Sequence, residues 1–225
     1  ELPLQPQHQR AKLGALYAGW FLISLTDRMW QFSVPFFLLT MDSLDSMRFA
    51  TIYALVVGAS NVISGPIIGY VVDRSGRRRT VTIALVSQAV LVTASWLITR
   101  SALALGRAHH PKMVALMVAL ITSCTVSSLA NLASTLAIER DWIDVLAVGG
   151  ERLERAKSRL RSIQTACRVA APIAMGGSLC VLTPASAAWV VAAANVGTVA
   201  GFILTLRTIY LMTPQLGVAK GRAVG

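Results

Sequence analysis

Long apolar runs alternate with polar breaks along the whole chain. Six runs stand out, at 13–41, 49–72, 80–99, 113–138, 163–182 and 185–212. A helix needs ~20 mainly apolar residues to cross the ~30 Å hydrocarbon core of a bilayer. The runs meet that length, and a spanning strand would need only about half as many residues. Between them lie breaks at 42–48, 73–79, 100–112, 140–161 and 183–184. In hydrocarbon every backbone polar group must be satisfied internally, which favours helices. The pattern therefore predicts an all-α membrane protein with six transmembrane helices. Residues 1–12 form a polar N-terminal tail, 13–212 the six-helix unit with a loop at 140–161, and 213–225 a following segment.

Composition agrees. Hydrophobic residues make up 55% and charged residues 14%, against about 25% charged in an ordinary soluble domain. Mean hydropathy is +0.62. A disordered chain is excluded on these values, and a soluble single-core enzyme is not expected. The net charge is +11, from 21 Lys and Arg against 10 Asp and Glu. Such basicity would suit nucleic acid if it were gathered on one patch, but it alternates loop by loop. Fifteen of the cations fall in the N-tail, the second and fourth breaks and the C-terminal end; four fall on the other side, and two lie inside runs. By the positive-inside rule both ends of the segment are cytoplasmic. The expected partner is the lipid bilayer, and no nucleic acid is expected.

The three Cys residues (Cys124, Cys167, Cys180) lie in apolar runs, as buried free thiols do. The chain has no CxxC pair, zinc spacing or Walker loop, so no cofactor and no enzyme activity are expected. The N-terminal residues lack a basic region followed by a short apolar core, so a removable signal peptide is not expected.

Four polar features interrupt the apolar pattern. Asp27 and Arg28 sit in the middle of the first run. A charge at bilayer depth costs about 2.5–3.5 kcal/mol on insertion scales, so such residues face protein or a water-filled cavity. Neighbours in sequence do not share a helix face, so the two are expected to have different partners. Gln31, at i+4 from Asp27, brings a second hard oxygen to the same spot, a pairing suited to a divalent cation. The second feature is the series Gly69, Asp73, Arg74, Gly76, Arg77, Arg78 and Arg79 in a very short break, where Gly76 suits an unusual backbone angle. It resembles the loop signature of the major facilitator superfamily, whose charges form part of a cytoplasmic gate.

The third feature runs from Asn131 to Thr135 and on through Arg140, Asp141 and Trp142. Arg140 and Asp141 either lock the inner mouth by ion pairs or form a solvated helix end with Trp142 as interfacial anchor. In the fourth, Gln164 and Arg168 are one turn apart in the fifth run, followed by Pro172 and Gly176–Gly177; such breaks line transport cavities or simply allow close packing. Residues 149–161 read as a charged amphipathic helix at the membrane surface. Asn195, in the sixth run, reads as an interhelical hydrogen-bonding group, and His109–His110 as a solvated loop pair.

Taken in order, these residues resemble one family of that superfamily, ferroportin, the solute-carrier iron exporters. The resemblance rests on Asp27-Arg28-Met29-Trp30, on 53–59 leading to Gly69 and Asp73, and on 131–135. It also rests on Arg140-Asp141-Trp142-Ile143, 171–176 and Thr213-Pro214. It implies one six-helix half of a major-facilitator-type transporter. The other half would be missing or supplied by a second copy, and 213–225 would begin a central linker. It implies export of ferrous iron, with some cobalt and zinc, by alternating access with proton countertransport, at the plasma membrane. Asp27 matches the family's first metal site, with Gln31 where vertebrate members have His and Gln164 where many have an acid. Asp73, Arg74, Gly76, Arg77, Arg140 and Asp141 match its cytoplasmic gate. Members that bind calcium use groups matching Asp27, Gln88 and Asn195, with Phe202 standing where they have Glu. Arg168 is a further departure, a fixed cation that would repel Fe²⁺ unless neutralised. Two alternatives follow from these departures: a transporter of a non-metal solute on the same fold, or an inactive half-transporter.

Overall fold

The computed structural model describes residues 6–41, 47–105, 110–146 and 150–212, and these are almost wholly helical. The helices are α1 (Pro6–Met41), α2 (Arg48–Arg74), α3 (Arg77–Leu105) and α4 (His110–Ala137), then a π-helical segment (Ile138–Trp142), α5 (Ile143–Leu146), α6 (Gly150–Val181) and α7 (Pro184–Leu211). Connections are short where both ends are seen. Between α2 and α3 only Ser75 and Gly76 intervene, with the Ser75 amide donating to Val71 O at 3.0 Å. At the start of α7, Thr183 caps the helix by accepting from the Ser186 amide, and Pro184 occupies the first helical position, where its missing N–H costs nothing.

Four helical stretches are long and apolar enough to cross a membrane: Arg48–Arg74, Arg77–Leu105, Pro111–Leu146 and Pro184–Leu211. The six runs expected from the pattern include two more helices, α1 and α6, of 36 and 32 residues. Both are long enough, but charged residues along them lower their hydropathy. The amphipathic stretch 149–161 is not a separate helix. From Gly150 it is the first part of α6, continuous with the fifth run. Leu153, Ala156, Leu160 and Ile163, at helical spacing, pack on the core and carry the helix through the charged sequence.

Packing runs in a ring. α2 lies on α4, α4 on α3, α3 on α7, α7 on α1 and α1 on α6, with α1 also touching α2. Two apolar clusters fill it. One gathers Leu16, Trp20, Ile23, Leu85, Trp142 and Phe202 toward the α2–α3 turn. The other gathers Trp30, Phe37, Tyr53, Val92, Met117 and Met175 toward the opposite end. Along each central helix the clusters stop short of one another. Asp27 falls between Ile23 and Trp30, Gln88 between Leu85 and Val92, Asn131 between Cys124 and Ala137, and Asn195 between Ala192 and Val199. The buried polar groups therefore form a layer across the middle of the bundle.

Candidate metal site and gate

A carboxylate in an apolar core must be hydrogen-bonded or neutralised. Asp27 is 3% exposed and takes the first course. Its Oδ2 accepts from Gln31 Nε2 at 2.7 Å and from Asn131 Nδ2 at 2.8 Å, and its Oδ1 accepts from Gln88 Nε2 at 2.9 Å. Three helices, α1, α3 and α4, thus each send one amide N–H to a single carboxylate. Among the described residues no cation pairs with it. Arg28 points elsewhere, its Nη1 donating to Gln31 Oε1 at 3.0 Å. Asp27 and Arg28 do have different nearest partners, as helix geometry requires, but both use Gln31. The Gln31 oxygen that the spacing assigned to a shared cation spot is turned to Arg28, and its nitrogen faces Asp27.

The rest of the layer is under-satisfied. Gln88 Oε1 and both side-chain atoms of Asn195 are buried without a hydrogen-bond partner among the described residues. The expectation that Asn195 bonds between helices is therefore not met by its side chain. Thr26 and Thr198 join α1 to α7 through their hydroxyls at 3.1 Å. Gln164, on α6, has no hydrogen bond to the Asp27 cluster among the described residues, although α6 packs along α1. An open groove of about 850 Å³ is lined by other α6 residues, among them Lys157, Arg161 and Thr165. Arg168 is exposed. Of the three Cys residues, Cys124 and Cys167 are buried, but Cys180 is exposed, against expectation.

The donor set limits what can bind. No group of three or more His, Cys, Asp or Glu comes together among the described residues. One carboxylate with neighbouring amide oxygens suits a hard or borderline cation held loosely. A resident calcium ion does not fit. It takes about 6–8 oxygens, and the fourth family position, Phe202, is 1% exposed and apolar. Its ring packs tilted against Trp20, with the centroids 6.1 Å apart, and fills the space over Gly19, where a Cβ would run into it.

At the α2–α3 end the chemistry changes. Arg140 Nη1 lies 3.4 Å from Asp73 Oδ2, with the two side chains 54% and 55% exposed. The π segment carries Arg140 across to the end of α2, where it passes Gly69 closely: a Cβ there would lie 3.8 Å from Nη1. Arg74 stacks over Tyr70 at 4.4 Å, and Arg78 over Tyr210 at 5.1 Å. Arg77 Nε is buried with no hydrogen-bond partner among the described residues, and Gly76, the residue before α3, accepts from the Thr80 amide at 3.0 Å without the unusual backbone angle expected of it. Of the gate residues expected, Asp73 and Arg140 meet directly. The side chain of Asp141 lies outside the described residues, as do those of His109 and His110 and the segment 213–225. An ion pair that the pattern did not single out, Lys157 to Asp144 at 2.9 Å, ties α6 to α5. Asn131, read from sequence only as part of the inner-mouth stretch, belongs to the Asp27 cluster. Its one visible signal was an amide in mid-run, costly in hydrocarbon without a partner.

Comparison with known proteins bears on this arrangement. Residues 10–224 match the family model described as Ferroportin1 (FPN1). Solute carrier family 40 member 1 of Oryza sativa subsp. japonica is 31% identical over 195 residues, covering 84% of this chain and 40% of that protein. Ferroportin of Homo sapiens is 30% identical over 213 residues, covering 92% of this chain and 37% of that protein. A crystal structure of a bacterial homologue of the iron transporter ferroportin, in an outward-facing state with soaked iron, superposes with a TM-score of 0.80 at 25% identity, covering 92% of this chain and 51% of that one. The chain thus spans about two fifths of the length of these two relatives and half of the solved homologue.

Proposed function

The chain belongs to the ferroportin family, and from that premise we propose that it is the N-terminal six-span half of a ferrous iron exporter of major-facilitator type. In this reading α1 and α6 join the four strongly apolar helical stretches as spans, their polar residues facing protein or a central cavity rather than lipid. Both ends face the cytoplasm, following the bias of Lys and Arg, and the membrane is the plasma membrane. A second half, following 213–225 or supplied by another copy, closes the cavity from the far side.

The observation that carries this reading is Asp27. It is a buried carboxylate whose negative charge is held by three neutral amides, and no cation among the described residues pairs with it directly. Asp27 captures the ion, with Gln31 and Gln164 assisting, while Gln88 and Asn195 act as structural polar groups. The Asp73–Arg140 pair, with Arg74, Gly76, Arg77 and Asp141, closes the cytoplasmic mouth. Export proceeds by alternating access, and a proton replaces the metal on Asp27 for the return step. Cobalt and zinc are carried less readily. The test is efflux of radioiron from loaded cells that express the protein with both halves, wild type against Asp27→Ala. Loss of efflux at equal surface expression supports the reading. Equal efflux removes Asp27 from the mechanism.

A non-metal solute is the second reading, favoured by the hold of Arg28 on the Gln31 oxygen. It predicts efflux that is indifferent to Asp27 but lost in Arg28→Gln.

A further inference from the structure

Resting on the metal reading of Asp27, we propose that the second oxygen offered to the ion comes from Asn131 on α4, and that Gln31 is a positioning residue rather than a ligand. Both amides reach the same atom, Asp27 Oδ2, at 2.8 and 2.7 Å. They differ in what holds their other end. Gln31 Oε1 accepts from Arg28 Nη1 at 3.0 Å. Turning that amide over would set its NH₂ against a guanidinium and lose a charge-assisted bond. Asn131 Oδ1 accepts no hydrogen bond among the described residues, and the terminal torsion of Asn is broad and roughly two-fold. Half a turn of this amide exchanges nitrogen for oxygen at nearly the same point and breaks only its bond to Asp27.

The spacing then suits a small divalent ion. Metal–oxygen bonds of about 2.1 Å at right angles place neighbouring ligand oxygens about 3 Å apart. That is close to the present separation of Asn131 Nδ2 from Asp27 Oδ2, 2.8 Å. Gln88 is a poorer candidate. It bonds the other carboxylate oxygen and is 1% exposed, whereas Asn131 and Gln31 are half-buried. The approach to the carboxylate is therefore on the Oδ2 side. Gln88 anchors Oδ1 from within, Arg28 holds Gln31 with its N–H on Oδ2, and the free Asn131 amide turns to admit the ion across the α1–α4 gap.

The experiment is calorimetric titration of Co²⁺ into the detergent-solubilised full chain. It compares wild type with Asn131→Ala, the near-isosteric Asn131→Asp, Gln31→Ala and Asp27→Ala. The expected result is at least tenfold weaker binding for Asn131→Ala, at least tenfold tighter binding for Asn131→Asp, and a loss for Gln31→Ala, which only frees the carboxylate it positions, smaller than that for Asn131→Ala. Asn131→Asp keeps the size of the side chain, so it decides the matter even if the alanine variant fails to fold. If both Asn131 variants bind as wild type does while Asp27→Ala does not bind, the role given to Asn131 is wrong and the metal reading stands. Binding that survives Asp27→Ala overturns both.

Discussion

Two carboxylates in this chain are held in opposite ways. Asp27, in the middle of the bundle, is surrounded by neutral N–H groups at 2.7–2.9 Å and is 3% exposed. Asp73, at the end of α2, faces a cation at 3.4 Å with both partners about half exposed. Amide donors stabilise a carboxylate without cancelling its charge, so Asp27 remains attractive to a cation arriving from outside. An exposed pair cancels its own charge and is worth little, about 0–1 kcal/mol, because water and salt compete for both members. If, as proposed, the Asp73–Arg140 contact opens and closes during transport, a pair this weak costs little to break, and the uncancelled charge of Asp27 is what would draw an ion.

The comparison is most exposed to failure at Asp27. Asp27→Asn removes the charge and keeps the size of the side chain, and should lower iron efflux more than tenfold, whereas Asp73→Asn should lower it less than threefold. Efflux assays at matched expression decide this, and equal losses would erase the distinction. Gln88→Leu tests the donors rather than the charge. It leaves Oδ1 buried without its N–H, and a hydrogen bond to a charged group is worth about 1.5–3 kcal/mol. The expected loss of stability, measured by denaturation in detergent, should be of that size and indifferent to salt. The smallest effect belongs to Asp73→Ala, at most about 1 kcal/mol, and it should vanish in high salt as screening removes the pair in the wild type as well. A salt-independent loss larger than that would mean that the Asp73–Arg140 contact is not the weak pair described.

Much of the bundle was legible from periodicity, because a membrane helix announces itself by length and apolar content. The start of α6 was not. Charges at 150–162 mask the core-facing series Leu153, Ala156 and Leu160, and only the packing reveals one continuous helix. At the site, Asp27 and Gln31 could be paired from sequence because they are one turn apart. Which end of Gln31 faces Asp27 could not, since that depends on Arg28. Asn131 is 104 residues from Asp27, and no local rule joins them; its place follows from how α4 lies against α1. Asn195 shows the reverse. A polar residue in mid-span was visible at once, yet its side chain has no bonding partner among the described residues; two turns along on the same face, Phe202 gives α7 an apolar contact with Trp20 and Gly19.

The π segment at Ile138–Trp142 sets the phase of everything that comes after it. In an α-helix each residue advances about 100°, and a wider π turn absorbs one additional residue without breaking the rod. Ile138, Trp142 and Ile143 all point inward while Arg140 leans out toward Asp73. Deleting a single residue here would restore regular winding at the cost of rotating the downstream chain by about that angle. The guanidinium would then face away from α2, and the Asp73 carboxylate would be left without the cation it now grips.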